Sequence, residues 1–330
     1  MINKSQPLVS IIMPCYNVAP FIKVSLDSVL KQTYTNLEIL IIDDFSNDNT
    51  LNIVKNFSDD RLSIYTNDQN LGISQCLNTL VQKSKGEYIC RMDADDIMHP
   101  KKIFLQIEYM LKNNIDFCGS FIRFFGTENK TIKYPILNHD IRFFMVFGSP
   151  FAHPSIICKA KILKANIYLN NVAEDYYLWT RIATSKTIIK FGNLPKVLLS
   201  YRRHEKQLTT SFKFLIEDSI NISKKFSKFY IKNDLIYSEL CDLNFGMNNE
   251  YNIKEFFILT ENLIKLGNVN KVSSHIMFRL TNSFIKRVKV LSFLNIISTI
   301  ILLYKNKVSI FDRNLIYILI IYFIRKIKSK

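Results

Sequence analysis

Leu8-Val9-Ser10-Ile11-Ile12-Met13 is a nearly continuous apolar run that stops at Pro14-Cys15-Tyr16-Asn17. An alternating run would leave one face in water, whereas a continuous run needs cover on both faces, as parallel strands have. Glu38-Ile39-Leu40-Ile41-Ile42 repeats the pattern and ends at Asp43-Asp44. Tyr88-Ile89-Cys90-Arg91-Met92 repeats it again and ends in three carboxylates, Asp93, Asp95 and Asp96, with Ala94 among them. Arg61 to Tyr65 supplies one more strand. Helical patterns separate these runs, over 19–31, from Thr50 to about Phe57, and over Ile73 to Lys83. Ser46 to Thr50 offers turn and N-cap chemistry, and Pro100 predicts a helix start. This alternation predicts right-handed βαβ units and a parallel sheet. Ligands of such sheets sit beyond the carboxyl ends of the strands. Tyr16 with Asn17, Asp43 with Asp44, and Asp93 to Asp96 therefore fall on one rim.

Three acids at a strand end repel one another unless a cation sits among them. Mg²⁺ and Mn²⁺ take such oxygen ligands, often together with substrate phosphates. The competing reading is a solvated acidic turn.

From Lys101 to Tyr201 the pattern is mixed. Ile115–Cys118, Phe121–Phe125, Thr131–Tyr134, Ser155–Cys158 and Val197–Tyr201 predict short strands, the fourth followed by a basic helix. Glu174-Asp175 begins a helix, with acids in its first turn where the dipole favours them. Past Ser211 helical periodicity takes over, to Leu266. Val290–Tyr304 and Leu315–Ile324 are apolar but fall short of the roughly 20 residues of a spanning helix.

The formal net charge is +16, and from Leu263 onward thirteen Lys and Arg face one acid, Asp312. That excess predicts an anionic partner, with an interfacial amphipathic role at a membrane favoured. A helical pair buried on the α/β domain or on a second subunit of a homo-oligomer is the alternative. Six scattered cysteines without Cys-x-x-Cys predict buried thiols in a reducing compartment. Met1 to Ser10 lacks the apolar core of a signal peptide, so a cytoplasmic location is expected.

Val9 to Asn17, Ile41 to Asp48, Asn70-Leu71-Gly72-Ile73-Ser74 and Arg91 to Asp96, in that order and spacing, resemble the family 2 glycosyltransferases. The resemblance covers roughly residues 8 to 210. It implies a GT-A fold, a Rossmann-like, mostly parallel α/β sheet flanked by helices, over 1–211, with a basic helical extension over 212–330. It implies inverting transfer of a sugar from a nucleotide donor to a glycan or lipid-linked acceptor, such as a polyprenyl carrier, in cell-surface polysaccharide synthesis.

Carried over by position, Pro14, Tyr16 and Asn17 lie against the nucleotide. Asp44 accepts the uracil or thymine imide N–H, which favours a UDP- or dTDP-sugar. Asn70 and Gly72 match a loop near ribose and base, Arg91 approaches from beneath, and Asp93-Ala94-Asp95 matches the Asp-x-Asp signature. Asp95 would hold Mn²⁺ or Mg²⁺ directly, Asp93 would serve the ribose or a water on the metal, and Asp96 is a further ligand candidate. Asp175 takes the acceptor proton, supported by Glu174. His153 matches a segment near acceptor and sugar, or is structural. His204 and Arg202 match a loop closing on the diphosphate, with His204 a third metal ligand, or form a solvated basic loop. Trp179 packs under the acceptor sugar or fills core. Family members carry Gly where this chain has Phe45.

Other classes fit less well. A phosphohydrolase would want its aspartate nucleophile after the first strand, where Pro14-Cys15-Tyr16 stands. A dehydrogenase would want Gly-x-Gly-x-x-Gly there. A nucleic-acid-binding or membrane scaffold gives no reason for polar strand ends on one rim, and no nucleic acid is expected.

Overall fold

The computed structural model describes residues 6–204 and 212–230. Strands β1 (Val9–Cys15), β2 (Leu37–Asp43), β3 (Leu62–Thr66) and β4 (Tyr88–Arg91) lie in the order β3-β2-β1-β4, all parallel. Helices α1 (Ala19–Leu30), α2 (Thr50–Lys55) and α3 (Ile73–Lys83) connect them. Every residue of β1 is buried, as its continuous apolar run requires. Its register with β2 pairs Cys15 with Asp43, so the polar ends of both strands finish level on one rim.

Pro100 does not open the next helix. A two-residue strand, β5 (Ile97–Met98), comes first, and α4 runs over Lys102–Asn113. Asn114 ends it with φ 52°, a left-handed stop that asparagine tolerates.

Beyond β4 the sheet is mixed. β6 (Phe117–Gly126), β7 (Thr131–Ile132), β8 (Ile157–Lys159) and β9 (Phe191–Arg203) complete it among the described residues. β8 runs antiparallel to β4 and β6, whereas β9 is parallel to β6 and antiparallel to β5. β6 is one strand where the sequence predicts two. Gly119 keeps it continuous, because a Cβ there would stand 2.2 Å from Asn193 Oδ1. β9 is 13 residues long against the five predicted, since Gly192 and Pro195 hide the strand pattern. Leu194 pairs with Ser120 and Val197 with Phe121, so Pro195 and Lys196 form the irregularity where a proline is tolerated.

Helices α5 (Asn138–Phe144), α6 (Ala160–Ala165), α7 (Glu174–Thr184) and α8 (Phe212–Tyr230) are also present. The chain divides into two compact units, Met1–Ile141 with Ser149–Ile222, and Arg142–Gly148 with the chain from Ser223. Within the second, Ser223 Oγ donates to the Val146 carbonyl, and the Phe143 and Phe147 rings meet edge-on at 5.6 Å. No helix among the described residues is long and apolar enough to cross a membrane. The runs Val290–Tyr304 and Leu315–Ile324 lie outside the described residues.

Candidate active site

The turn after β4 brings Asp93, Asp95 and Asp96 together, each with an oxygen within 4.8 Å of the others. Ser25 Oγ holds the Asp93 carbonyl at 3.1 Å, and the Asp96 N–H reaches the same carbonyl at 3.4 Å. Asp96 is fully buried; its Oδ1 accepts the Arg202 N–H at 2.8 Å, and its Oδ2 has no partner among the described residues. Burial first, then Asp93 and Asp95, push its carboxyl well above the ordinary range. An unpartnered buried carboxylate oxygen beside two further carboxylates is costly alone, and is the donor set a hard divalent cation takes. The residues therefore fit such an ion.

The end of β9 arches onto this turn. His204 Nε2 lies 3.0 Å from Asp95 Oδ2, and Arg202 Nε donates to the Asp95 carbonyl at 2.7 Å. The Arg202 guanidinium is held over the rings of Phe21, 4.7 Å away, and Phe125, 4.4 Å away. Tyr201, which sequence reasoning passed over, belongs here too: burial, then Asp93, Asp96 and Asp95, raise its phenol. Its signal was its place in the run Tyr201-Arg202-Arg203-His204, three residues before His204.

On the neighbouring strand ends, the Asp44 N–H donates to the Cys15 carbonyl at 2.9 Å. The Asp44 carboxylate is buried, yet Oδ1 accepts from Asn67 Nδ2 and the Leu71 N–H, and Oδ2 from the Gly72 N–H at 2.8 Å. Burial would raise this carboxyl; the Leu71, Asn67 and Gly72 hydrogen bonds outweigh it and hold it below the ordinary value. Gly72 sits at φ 82°, where a side chain would strain the loop. Asn70 is exposed on that loop. Asn67 is the functional residue missed here, for its role is visible only through Asp44. Asp43 caps the next turn, its Oδ2 accepting the Ser46 N–H at 3.0 Å.

Asn17, at φ 51°, accepts the Asn47 N–H on Oδ1 at 2.8 Å and donates its own N–H to Ser46 Oγ at 3.0 Å. Tyr16 is exposed, whereas Pro14 and Ala94 are buried. The surface offered at the first strand end is thus Tyr16 and Asn17, and Pro14 shapes it from within β1. Phe45 also has a left-handed backbone, φ 64°, a conformation that costs roughly 1–2 kcal/mol for a residue with a Cβ.

Across the sheet, α7 presents Glu174 and Asp175. The Ala173 N–H at its start donates to Asp218 Oδ2 at 2.9 Å. Asp175 Oδ1 accepts the Tyr176 N–H at 2.6 Å. Burial is the largest influence on the Asp175 carboxyl; His153 opposes it, Glu174 adds to it, and the result is a value pushed up to about 6. Glu174 is raised too, mainly by burial. His153 is buried, its Nε2 3.0 Å from the Tyr168 hydroxyl and its Nδ1 3.6 Å from Glu174 Oε1. Burial, then the Arg91 charge, lower its imidazole to about 3, so it is neutral beside Glu174.

Trp179 is fully buried, its ring 4.8 Å from Phe117 and edge-on to His153 at 5.6 Å. It can touch no sugar. The acceptor alternative for it is overturned, and it fills core beneath His153.

Arg91 joins the two halves. It is buried, ion-paired with Asp93, and its charge acts on Glu174, Asp175 and His153. Burial alone would lower its guanidinium; Asp93 more than offsets this, and it stays charged. The acidic turn and the α7 acids therefore share one electrostatic neighbourhood.

The architecture is that of GT-A glycosyltransferases. Superposition on S. aureus TarS 1–349 in complex with UDP-GlcNAc gives a TM-score of 0.59 at 18% identity, over 85% of this chain and 81% of that one. Mannosyltransferase PcManGT from Pyrobaculum calidifontis, in complex with GDP-Man and Mn²⁺, gives 0.53 at 16% identity, over 98% of this chain and 88% of that one. In sequence, the family model for glycosyl transferase family 2 matches residues 10–168. The O-antigen biosynthesis glycosyltransferase WbnJ of Escherichia coli is 35% identical over 62% of this chain and 83% of its own length. The E. coli UDP-Glc:alpha-D-GlcNAc-diphosphoundecaprenol beta-1,3-glucosyltransferase WfgD is 37% identical over 55% of this chain and 72% of its own. The chain belongs to glycosyl transferase family 2 and is a glycosyltransferase.

Proposed function

We propose that this enzyme transfers a sugar, with inversion, from a UDP-sugar or dTDP-sugar to a hydroxyl of a glycan or polyprenyl-linked acceptor. One observation carries the reading: buried Arg91 couples the acidic turn, through Asp93, to Asp175, whose carboxyl is pushed up to about 6. A carboxylate with that value is ionised at neutral pH and still a stronger base than an ordinary aspartate. Its Oδ1 is engaged by the Tyr176 N–H, which leaves Oδ2 to take the acceptor's proton. Beside it, neutral His153, held by the Tyr168 hydroxyl, lies 3.6 Å from Glu174.

On the donor side, Asp44 Oδ1 accepts from Asn67 and Leu71, Oδ2 accepts from Gly72, and the Cys76 thiol is a further partner of the carboxylate. By its place at the end of β2, Asp44 is the group that would read an imide N–H, the donor that cytosine lacks. Tyr16 and Asn17 border the nucleotide, with Asn70 and Gly72 by the ribose. Asp95 and Asp93, with His204 and Asp96, would hold Mn²⁺ or Mg²⁺, which when bound supplies Lewis-acid neutralisation of the leaving diphosphate. Arg202, anchored on the Asp95 carbonyl, carries a second positive charge to the same place.

The names of WbnJ and WfgD support a role in cell-surface polysaccharide synthesis with a lipid-linked acceptor. The thirteen basic residues beyond Leu263 favour peripheral attachment to the anionic cytoplasmic face of the membrane. The test is a thermal-shift screen of UDP-, dTDP- and GDP-sugars with Mn²⁺, since a bound ligand stabilises according to its affinity. Stabilisation by uridine or thymidine diphosphates is expected; no shift with any nucleotide sinks the reading.

A further inference from the structure

The backbone of Phe45 is left-handed, φ 64°, and its side chain is 51% exposed. Among the described residues the other non-glycine residues with positive φ are Asn17 and Asn114, a type that tolerates the conformation. Phenylalanine does not share that tolerance. A ring left half in water also buries too little apolar surface to offset the strain. Folding gains little from this residue here, and strain that folding does not explain points to a ligand.

The neighbours narrow the ligand's chemistry. The Asp44 N–H to Cys15 carbonyl bond, at 2.9 Å, sets the end of β2 beside that of β1. Asn47 N–H to Asn17 Oδ1 at 2.8 Å, and Asn17 N–H to Ser46 Oγ at 3.0 Å, tie the loop of Phe45 to the loop of Tyr16. Tyr16 is itself 44% exposed. Two exposed rings thus stand on adjoining strand ends, one of them directly after the buried Asp44 carboxylate. The residues that follow Phe45 are Ser46, Asn47, Asp48 and Asn49, too polar for a face that meets lipid. A flat, polar-edged heterocycle suits this place: a ring to stack on and a carboxylate for its edge.

We propose that Phe45 is an affinity-determining platform for the nucleobase of the donor. The proposal rests on the nucleoside-diphosphate reading above and adds a division of labour. Stacking is tolerant of base identity, so Phe45 supplies affinity for any base while Asp44 selects among bases.

The experiment measures binding of UDP, GDP and inorganic pyrophosphate, each with Mn²⁺, to the full chain and to Phe45→Gly and Phe45→Trp. Phe45→Gly is expected to bind UDP about tenfold more weakly, the scale of one base–aromatic stack, and to bind pyrophosphate unchanged. Its ligand-free melting temperature should rise, because glycine relieves the left-handed strain. Phe45→Trp should bind UDP at least as well as the parent. Unchanged UDP affinity in Phe45→Gly overturns the proposal, as does an equal loss for UDP and pyrophosphate. A parent chain that prefers GDP contradicts the uracil reading of Asp44, and the platform still stands if GDP also weakens in Phe45→Gly. A parent chain that binds no nucleoside diphosphate removes both.

Discussion

His204 Nε2 lies 3.0 Å from Asp95 Oδ2, although 109 residues of chain separate them. The end of β9 thereby reaches the acidic turn at the end of β4. Asp95→Ala should abolish metal-dependent donor hydrolysis and transfer together. His204→Ala should keep the fold and raise the Mn²⁺ concentration for half-maximal activity by roughly 10- to 100-fold, the usual penalty for losing a group that orients or joins a metal's ligands. An unchanged metal titration in His204→Ala would confine the histidine to a structural role.

Asp175→Asn should lower kcat by roughly 10²- to 10⁴-fold, the range for losing a positioned base, and leave UDP affinity intact. In the parent enzyme kcat should fall below about pH 6, as the carboxyl of Asp175 takes up a proton. Loss of UDP binding in the variant would place Asp175 on the donor side instead.

The same carboxyl makes a prediction about stability. Its folded value of about 6 lies above the ordinary 3.8. Between those values the folded state holds a proton that the unfolded chain has released, so stability falls as pH rises from about 4 to about 6. Asp175→Asn should therefore be more stable than the parent at pH 7, by an amount of order 1–3 kcal/mol. Denaturant melts at pH 4 and pH 7 check this; a variant with no gain at pH 7 would refute it.

His153 acts in the opposite sense. Its folded value of about 3 lies below the ordinary 6.5. The folded state resists the proton that the unfolded chain takes up, so this contribution is complete above about 6.5 and is lost as pH falls toward 3. His153→Gln should flatten the acid side of the stability profile, which the same melts would record.

Trp179→Ala should destabilise the protein by about 3–5 kcal/mol, as large truncations in packed cores do. Trp179→Phe should fold and show an acceptor KM within about twofold of the parent, because the fully buried ring has no substrate to touch. A large KM change in Trp179→Phe would revive a contact with the acceptor.

Much of this was legible in the chain. Leu8–Met13 and Glu38–Ile42 are mostly apolar on both faces, as strands of a parallel sheet buried between layers are. That periodicity, with the helices between, determined β1 to β4 and their shared rim, and so brought Tyr16, Asp44 and the Asp93–Asp96 turn to one edge. The motif order carried the family. Residues past β4 were harder to read, for a physical reason. Gly119, Gly192 and Pro195 look like strand breakers, yet close packing against Asn193 and a register irregularity keep β6 and β9 continuous.

The sequence by itself determined which residue types stand at the strand ends, because burial pattern and turn chemistry are local properties. Only the tertiary structure decided what each does. It sent Trp179 into the core, where one helical face meets Phe117. It gave Asp44 three donors from a loop more than twenty residues away. It paired Arg91 with Asp93 within electrostatic reach of the α7 acids, so that one buried charge acts on groups more than eighty residues apart. Long-range electrostatics and packing depend on distance in space, which no local pattern encodes.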